Sequence, residues 1–285
     1  RTLLTIGLVI SILPTAAAEA AGAIYRVKEN GSTSGSCGES WGNSCSLQYA
    51  LNLAQAGDQV WVARGTYKPT ASADRAVSFN LKSGVAVYGG FAGTETLLSQ
   101  RDPVANVSVL SGDIGTPGVP TDNSYHVVYV LKTDQTGLLD GFTVTDGYAN
   151  GEIALNNGAG LYSYLSSAVI RNVIFQNNTT AGKGGGVYSY ESSGIYTNIT
   201  FKNNSAGVVG GGMFNSISNS TLTDVTFTGN TAGLHGGGMY IITSAPIITN
   251  ATFTGNSAVE HGGAILHTDA ANSVITNSSF INNKA

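Results

Sequence analysis

The chain has 285 residues, of which 42% are hydrophobic, 11% are charged and 38 are glycine, and its formal net charge is −4. This composition can bury a large core, which excludes a disordered chain, and the abundance of glycine indicates many tight turns between short strands. The mild charge provides no basic stripe, so we expect neither a nucleic-acid partner nor a cationic face for an anionic membrane.

The first predicted element is an export signal. An apolar run of signal-peptide length, Leu3 to Leu13, is followed by proline and several small residues. We therefore predict a signal peptide over residues 1–20 and a mature protein that is secreted or held at the cell surface, associated with an outer membrane. The alternative is a retained anchor, but the run is shorter than the roughly 20 residues that a spanning helix needs. No membrane-spanning segment is predicted in the mature chain, 21–285.

The two cysteines agree with export. Cys37 and Cys45 flank a Gly/Ser/Asn loop and are close enough in sequence to form a disulfide in an oxidising compartment. The alternative, two free thiols, would fit a cytosolic protein. Neither cysteine lies in a CxxC or Cys/His spacing that would indicate a metal site.

A capping helix is predicted over residues 46–56, ahead of the first coil. Its apolar residues recur at i, i+3, i+4 and i+7, and Gly57 follows them as a stop signal: Leu47, Ala50, Leu51 and Ala54. A solenoid needs such an element because its terminal coil exposes an apolar end.

Irregular coils are predicted over residues 57–157. Their short apolar runs read as strands at Val60 to Ala63, Val85 to Tyr88, Val107 to Leu110, Val127 to Leu131 and Leu139 to Val144. Phe142 and Val144 align with Val173 and Phe175 through a coil five residues longer than the later ones.

Regular repeats with a 26-residue period are predicted over residues 158–285. Three columns keep the period: the phenylalanines 175, 201, 227, 253 and, after 27 residues, 280; an asparagine three positions after each; and Gly160, Gly186, Gly212, Gly238 and Ala264. No segment has helical spacing long enough to cross a sheet, so successive coils must stack strand on strand, about 4.8 Å apart. The predicted fold is all-β, a single-stranded right-handed parallel β-helix. Because no capping element precedes Ala285, we expect the natural chain to continue.

Several segments resemble known families. The run from Leu47 through Gly57-Asp-Gln-Val-Trp-Val-Ala-Arg-Gly-Thr-Tyr67 resembles the N-terminal cap and first coil of pectin-lyase-like β-helices. Tyr88-Gly-Gly-Phe-Ala-Gly-Thr-Glu-Thr96 and Leu110-Ser-Gly-Asp-Ile114 resemble choice-of-anchor Q surface proteins. The Phe-x-x-Asn and Gly-Gly-[Ala/Gly]-aliphatic repeats are similar to those of the chlamydial polymorphic outer-membrane proteins, which are autotransported adhesins. The resemblance implies a surface role and supplies no catalytic residues.

Candidate catalytic residues are confined to the irregular coils. Acidic residues of the regular repeats fall in different columns, whereas the long connections carry Arg101 and Asp102 together with Asp113, Asp122 and His126. Long loops on a rigid scaffold often hold function. The alternative interpretation is that these aspartates, next to glycine and proline, form turns.

A histidine pair and an aromatic column also repeat. His235 and His261 lie one period apart and could meet at a corner as a metal site or, alternatively, form a solvated turn column; no third ligand shares their register. A further column, Tyr162, Tyr188, Phe214 and Tyr240, could stack on sugar rings or could pack against neighbouring corners.

These features leave two functional hypotheses. The first is a non-enzymatic secreted or cell-surface protein, adhesin-like or structural, that contacts a polysaccharide or a cell-surface glycan and needs no cofactor. The second is a polysaccharide lyase or glycoside hydrolase with its site in coils 85–130, which would require carboxylates gathered on one face.

Overall fold

The computed structural model describes residues 22–269 and 272–285, so the predicted signal peptide lies outside the described residues. Within them the chain forms one α-helix, three short 3-10 helices and 25 strands. The helices are α1 (Leu47–Leu53) and the 3-10 turns Leu98–Gln100, Pro120–Asp122 and Ile153–Asn156. No helix in the described residues has the length and apolar character needed to cross a bilayer.

The strands of the irregular coils are β1 (Ile24–Ser32), β2 (Gln59–Ala63), β3 (Gly65–Tyr67), β4 (Phe79–Leu81), β5 (Ala86–Phe91), β6 (Ser108–Ser111), β7 (Val128–Leu131), β8 (Leu138–Thr145) and β9 (Tyr148–Ala149). Those of the regular coils are β10 (Leu161–Tyr164), β11 (Val169–Gln176), β12 (Thr179–Thr180), β13 (Val187–Tyr190), β14 (Ile195–Lys202), β15 (Ser205–Ala206), β16 (Met213–Ser216), β17 (Thr221–Thr228), β18 (Thr231–Ala232), β19 (Met239–Ile242), β20 (Ile247–Thr249), β21 (Thr252–Thr254), β22 (Ser257–Ala258), β23 (Ile265–Thr268), β24 (Val274–Thr276) and β25 (Ser279–Ile281).

The strands form three parallel sheets that run the length of the solenoid. Sheet A has 13 strands and follows the order β1-β2-β5-β8-β11-β14-β17-β20-β24, with β3, β6, β21 and β25 paired beside this path. Sheet B has seven strands, β4-β7-β10-β13-β16-β19-β23, and sheet C has five, β9-β12-β15-β18-β22. Each regular coil therefore supplies strands to all three sheets, and the predicted parallel β-helix is confirmed.

The phenylalanine column fills the interior behind sheet A. Phe201 pairs with Phe175 on one side and with Phe227 on the other, as the 26-residue period predicts. Successive ring centroids from Phe175 to Phe280 are 4.4–5.5 Å apart and the planes lie within 15° of parallel. Rings from 175 to 253 are fully buried, so each coil covers the apolar face of the next.

The asparagine column forms a buried amide ladder at the corner after sheet A. The Nδ2 of Asn204 donates to Oδ1 of Asn230 at 3.0 Å, and the Nδ2 of Asn230 donates to Oδ1 of Asn256 at 2.9 Å. From Asn204 onwards each amide nitrogen also donates to a phenylalanine carbonyl of the preceding coil, as Asn230 does to Phe201. The stacked amides therefore satisfy backbone groups that a tight corner leaves without partners.

Helix α1 covers the N-terminal end of the core. Its face of Leu47, Ala50 and Leu51 is buried, and Ser46 caps it by accepting a hydrogen bond from the backbone N–H of Tyr49. The helix ends at Leu53, short of the predicted residue 56, because Ala54 already has extended backbone angles. Lys82 Nζ binds the carbonyls of Asn52 and Ala54 at 3.2 Å and so satisfies the helix end.

The five predicted strands of the irregular coils are all present within three residues of their expected bounds, and Phe142 pairs with Val173 as expected. The strands β1, β3, β4 and β9 were not predicted. The Cys37–Cys45 disulfide is confirmed, with the Cα atoms 5.2 Å apart. It closes the connection between β1 and α1.

Candidate functional site

A cleft lies between the loop from Leu98 to Val107 and the outer face of sheet A. Its volume is about 590 Å³. The floor comes from outward-facing polar side chains of β8, β11 and β14: Thr143, Asn172, Asn198 and Thr200. This "loop–sheet cleft" combines apolar side chains with hydrogen-bonding groups, which is the usual character of a ligand site.

The loop is held to the sheet by close backbone approach. The N–H of Asp102 donates to the carbonyl of Gly90 at 2.8 Å, and its carboxylate accepts from the backbone N–H groups of Val104 and Ala105. A Cβ at Gly90 would lie 2.7 Å from Pro103, and φ of 94° at that residue is a left-handed conformation. Glycine at this position therefore lets the loop rest directly on β5.

A cluster of three charged residues joins the loop to the floor. The carboxylate of Asp140 is fully buried and accepts from Arg101 Nη2 at 2.7 Å, from Arg171 Nε at 2.6 Å and from Asn172 Nδ2 at 2.8 Å. The Arg101 side chain is 14% exposed and also donates to the carbonyls of Gly89 and Asp140. Two guanidinium groups against one carboxylate leave a local excess of positive charge beside the cleft.

Arg171 is the accessible member of this cluster. Its side chain is 43% exposed, and within residues 22–269 and 272–285 only its Nε makes a hydrogen bond. The terminal nitrogens can therefore donate to a ligand that enters beside Asn172.

The rim of the cleft is apolar. Val104 is 89% exposed, Val107 46% and Ile174 40%. An apolar rim above a floor of amide and hydroxyl groups suits a ligand with both hydrophobic faces and hydrogen-bonding groups.

Asp113 and Asp122 form turns and do not line this cleft. Asp113 accepts from the backbone N–H of Gly118 and lies 3.7 Å from Lys68 Nζ, while Asp122 accepts from the N–H of Thr116. Both residues belong to the β6–β7 connection. Their contacts match the turn interpretation, whereas a role in catalysis stays a prediction.

His126 is buried and packs beside the aromatic column. Its Nδ1 lies 3.1 Å from the carbonyl of Gly158, and its ring centroid lies 5.0 Å from that of Tyr162. Burial lowers the pKa of His126 to about 4, because desolvation disfavours the charged ring more than the neighbouring carbonyls favour it.

The low pKa of His126 predicts that the free energy of unfolding depends on pH. The unfolded chain, with an ordinary His pKa of about 6.5, binds the proton that the folded chain excludes, so the contribution of His126 to stability is complete above pH 6.5 and is lost between about pH 6.5 and 4. We expect a loss of about 3 kcal/mol at pH 4 relative to pH 7. Urea unfolding of the wild type and of His126→Gln at both pH values measures it: the variant should lose less stability on acidification, and equal losses would contradict the assignment.

His235 and His261 meet at a corner as predicted. Their rings are stacked with centroids 5.2 Å apart, and Glu260 Oε2 lies 3.7 Å from His235 Nε2. In the described residues, no group of three or more His, Cys, Asp or Glu side chains is arranged to hold a metal ion.

The aromatic column lies on the outer face of sheet B. Tyr162, Tyr188, Phe214 and Tyr240 stack in register with centroids 5.0–5.8 Å apart, while their aliphatic neighbours point into the core. Phe214 is buried, and Lys183 Nζ lies 5.1 Å from its ring centre. The rings thus pack chiefly on one another, and ligand binding by the column stays a prediction.

Comparisons with known proteins agree with the coils described above. A family model, "Right handed beta helix region", matches residues 130–285, more than half of the chain. No curated protein sequence matches significantly.

Three solved structures are similar at low identity. They are pectate lyase Pel9A (15% identity, 93% of this chain and 79% of that chain, TM-score 0.48), the alginate lyase from Paenibacillus sp. str. FPU-7 (16%, 84% and 94%, 0.34) and ORF18 of Geobacillus virus E2 (13%, 90% and 60%, 0.24).

Proposed function

We propose that this chain, which belongs to the right-handed β-helix family, is a secreted or cell-surface protein that binds polysaccharide in the loop–sheet cleft. The observation that carries the proposal is the cleft itself, where an apolar rim, a polar floor and the Arg101–Asp140–Arg171 cluster meet. The resemblance to choice-of-anchor Q proteins and to chlamydial adhesins supports an adhesin-like or structural role at the surface.

The chemistry of the cleft supports a sugar ligand. A pyranose ring presents apolar C–H faces, which can pack against Val104 and Ile174. Its equatorial hydroxyl groups can form hydrogen bonds with the side chains of Asn172, Asn198 and Thr200. The cleft lies across neighbouring coils of sheet A, so consecutive sugars of a chain can contact consecutive coils.

Binding is favoured over hydrolysis by the side chains that surround the ligand space. A glycosidase uses two carboxylates beside the scissile bond. The described residues that line the cleft include none, and the one carboxylate next to it, Asp140, is buried under two arginines and an asparagine.

A matched pair of substitutions tests the site. Thr200 lines the cleft, and Thr226 occupies the same column one coil further along, on the same outward face, without lining it. Filling the cleft with Thr200→Trp should weaken polysaccharide binding at least ~10-fold, about 1.4 kcal/mol, whereas Thr226→Trp should leave it near wild type.

The measurement is affinity on an array of neutral and acidic polysaccharides, followed by calorimetry on any that bind, with the full chain. Equal affinity of both variants for every bound polymer would refute the cleft as the binding site. Release of reducing ends or unsaturated products by the wild type, lost in Thr200→Trp, would instead identify the lyase or hydrolase alternative.

A further inference from the structure

The outer face of sheet A carries a regular array of threonine side chains in the coils that follow the cleft. The array has three columns, and each of two neighbouring coils supplies one threonine to every column. We call it the threonine face, and its members are Thr223 and Thr249, Thr226 and Thr252, and Thr228 and Thr254. The next coil extends the first two columns with Thr276 and Ser279.

The threonine side chains point away from the core, because the residues between them point into it. Leu222, Val225 and Phe227 of β17 are buried, whereas all six members of the face are half-buried. Behind the face, the rings of Phe227 and Phe253 are stacked with centroids 4.6 Å apart. Threonine is branched at Cβ, so it has few rotamers on a strand. Both the packed core and the side chains themselves therefore hold the face rigid.

Most hydroxyl groups of the face are free to bind a ligand. In the part of the chain that the structure describes, they make two hydrogen bonds, both with the next coil, at 3.2 Å and 3.3 Å. Those of Thr223, Thr226 and Thr228 have no protein partner there. Each such hydroxyl offers one donor and two acceptor sites, and a methyl group lies beside it on the same Cβ. The face thus mixes hydrogen-bonding and apolar groups at the scale of single atoms.

The face is nearly without charge. The strands of sheet A from β14 to β25 contain one residue of each sign, Lys202 and Asp224. Lys202 occupies the third column one coil before the face. Asp224 lies between the first two columns, and its carboxylate accepts a hydrogen bond from Asn250 Nδ2 at 2.9 Å. Since its six side chains include no charge and no aromatic ring, the face offers neither a counter-charge for an ion nor a stacking surface for a sugar or a base.

The size of the face does not suit a protein partner. Over three coils it measures roughly 15 Å by 17 Å, or about 250 Å², from about 4.8 Å per coil and about 3.3 Å per residue along the strand. A stable protein interface buries roughly 800 Å² on each partner. An extended peptide would need an unpaired strand edge, but β17 is paired with β14 on one side and with β20 and β21 on the other.

The spacing of the threonines suits a crystalline ligand instead. Along the solenoid axis they repeat at about 4.8 Å, the distance between paired strands, and along one strand Thr226 and Thr228 are about 7 Å apart. Oxygen atoms on the exposed planes of hexagonal ice repeat at similar lengths in two perpendicular directions. Water molecules that bond to the hydroxyls and surround the methyl groups therefore take positions that an ice crystal can continue.

We propose that the threonine face binds the surface of ice crystals through this ordered layer of water. A crystal front that meets an adsorbed protein has to curve around it, which lowers the temperature at which the crystal grows. The proposal does not rest on polysaccharide binding in the loop–sheet cleft, because the six threonines of the face do not line the cleft.

A matched pair of tryptophan substitutions in the full chain tests the proposal. Thr226→Trp raises a large ring in the middle of the face and should prevent close contact with a flat crystal. Thr231→Trp places the same ring on sheet C, where Thr231 is exposed in β18. The measurement is the fraction of protein taken up into slowly growing ice. Uptake of Thr226→Trp should fall at least ~5-fold, which corresponds to roughly 1 kcal/mol, while uptake of Thr231→Trp stays at the wild-type level.

A second variant guards against a misfolded protein. Thr252→Trp, in the same column one coil further on, should show the same loss of uptake, and circular dichroism just above the freezing point checks that each variant is folded. Thermal hysteresis, the gap between the melting and freezing temperatures of a seeded crystal, should be present in the wild type and in Thr231→Trp and be lost in the two face variants.

Two results would overturn the proposal: exclusion of the wild type from ice, or equal uptake of Thr226→Trp and Thr231→Trp. A wild-type dimer that Thr226→Trp dissociates would assign the face to contact between two copies of the chain and would overturn it as well. Because Thr226→Trp should keep wild-type affinity for polysaccharide in the cleft, failure of ice binding and failure of the cleft function give different results.

Discussion

Replacing Asn230 by alanine is expected to lower the free energy of unfolding by about 4 kcal/mol, the largest loss we expect for a single polar side chain in the regular coils. The residue is fully buried in the middle of the amide ladder. Its side chain donates to Asn256 Oδ1 and to the carbonyl of Phe201, and it accepts from both the backbone N–H and the Nδ2 of Asn204.

The size of the effect follows from the partners left behind. Alanine removes the acceptor of the buried Asn204 N–H and a donor to Phe201, and each unsatisfied buried group costs about 1–3 kcal/mol. No water replaces them easily, because the corner is packed between two identical corners. Asn230→Asp should also be strongly destabilising, since a carboxylate cannot donate to Phe201 and would be buried without a cation.

An exposed asparagine of the same repeat region serves as control. Asn219 accepts one hydrogen bond, from the backbone N–H of Ala245, and its side chain is exposed, so Asn219→Ala should cost about 1 kcal/mol or less. Urea unfolding followed by circular dichroism compares the two. Similar losses for Asn219→Ala and Asn230→Ala would mean that the ladder contributes no more than a surface contact.

The regular coils were predictable because stacking converts sequence spacing directly into position. The 26-residue columns of phenylalanine, asparagine and glycine occupy single columns of the structure, and the register Phe175–Phe201–Phe227 follows from counting alone. Strand alternation places Tyr162 and Tyr188 on the outer face if their aliphatic neighbours point inward, and the buried Leu161 and Val187 meet that condition.

The loop–sheet cleft was not predictable, because it depends on loops whose lengths break the period. Asp140 and Arg171 pair in register, two positions before Phe142 and Val173, so extending that one alignment would have brought them together. Nothing in the spacing shows that Arg101, on a loop of the preceding coil, folds back onto the same carboxylate. Likewise, β1 and β4 escaped prediction because they lie 35 and 49 residues before the strands that they pair with, far from the 26-residue period.

The residues with left-handed backbone angles also include some that the sequence pattern indicates and some that it does not. Asparagine at 172, 198 and 250 is a residue type that favours a left-handed turn, and the sequence pattern is consistent with one. Leucine at 165 and isoleucine at 217 give no such signal, and only the backbone angles show that they adopt the same conformation. The same corner position is left-handed in neighbouring coils, at Lys132, Glu191 and Thr243, so the stacking of the coils sets this conformation whatever the residue type.

Replacing Asp140 by alanine is expected to cost about 4 kcal/mol and to abolish binding in the cleft. Removing one member of a buried ion pair leaves an uncompensated charge, which typically costs 3–5 kcal/mol. The group left without a counter-ion is Arg101, whose side chain is 14% exposed and has only two carbonyl oxygens as remaining partners. The loop that forms one wall of the cleft should then detach from sheet A.

The exposed Asp113–Lys68 pair is the matched control. Its atoms are 3.7 Å apart and its side chains are 23% and 38% exposed, so Asp113→Ala should cost less than about 1 kcal/mol. Raising the salt concentration should reduce that small loss and leave the Asp140 effect nearly unchanged, because buried charges are screened weakly.

A double substitution separates the effect of the unpaired charge on stability from the effect of lost side-chain packing. Asp140→Leu with Arg101→Met removes both charges and keeps apolar volume, so it should recover much of the stability lost in Asp140→Ala. Limited proteolysis at residues 98–107 reports loop detachment: cleavage should be rapid in Asp140→Ala and slow in the double variant and in Asp113→Ala. If Asp140→Ala resists cleavage as the wild type does, the ion cluster does not hold the wall of the cleft, and the binding site must be sought on another face of the solenoid.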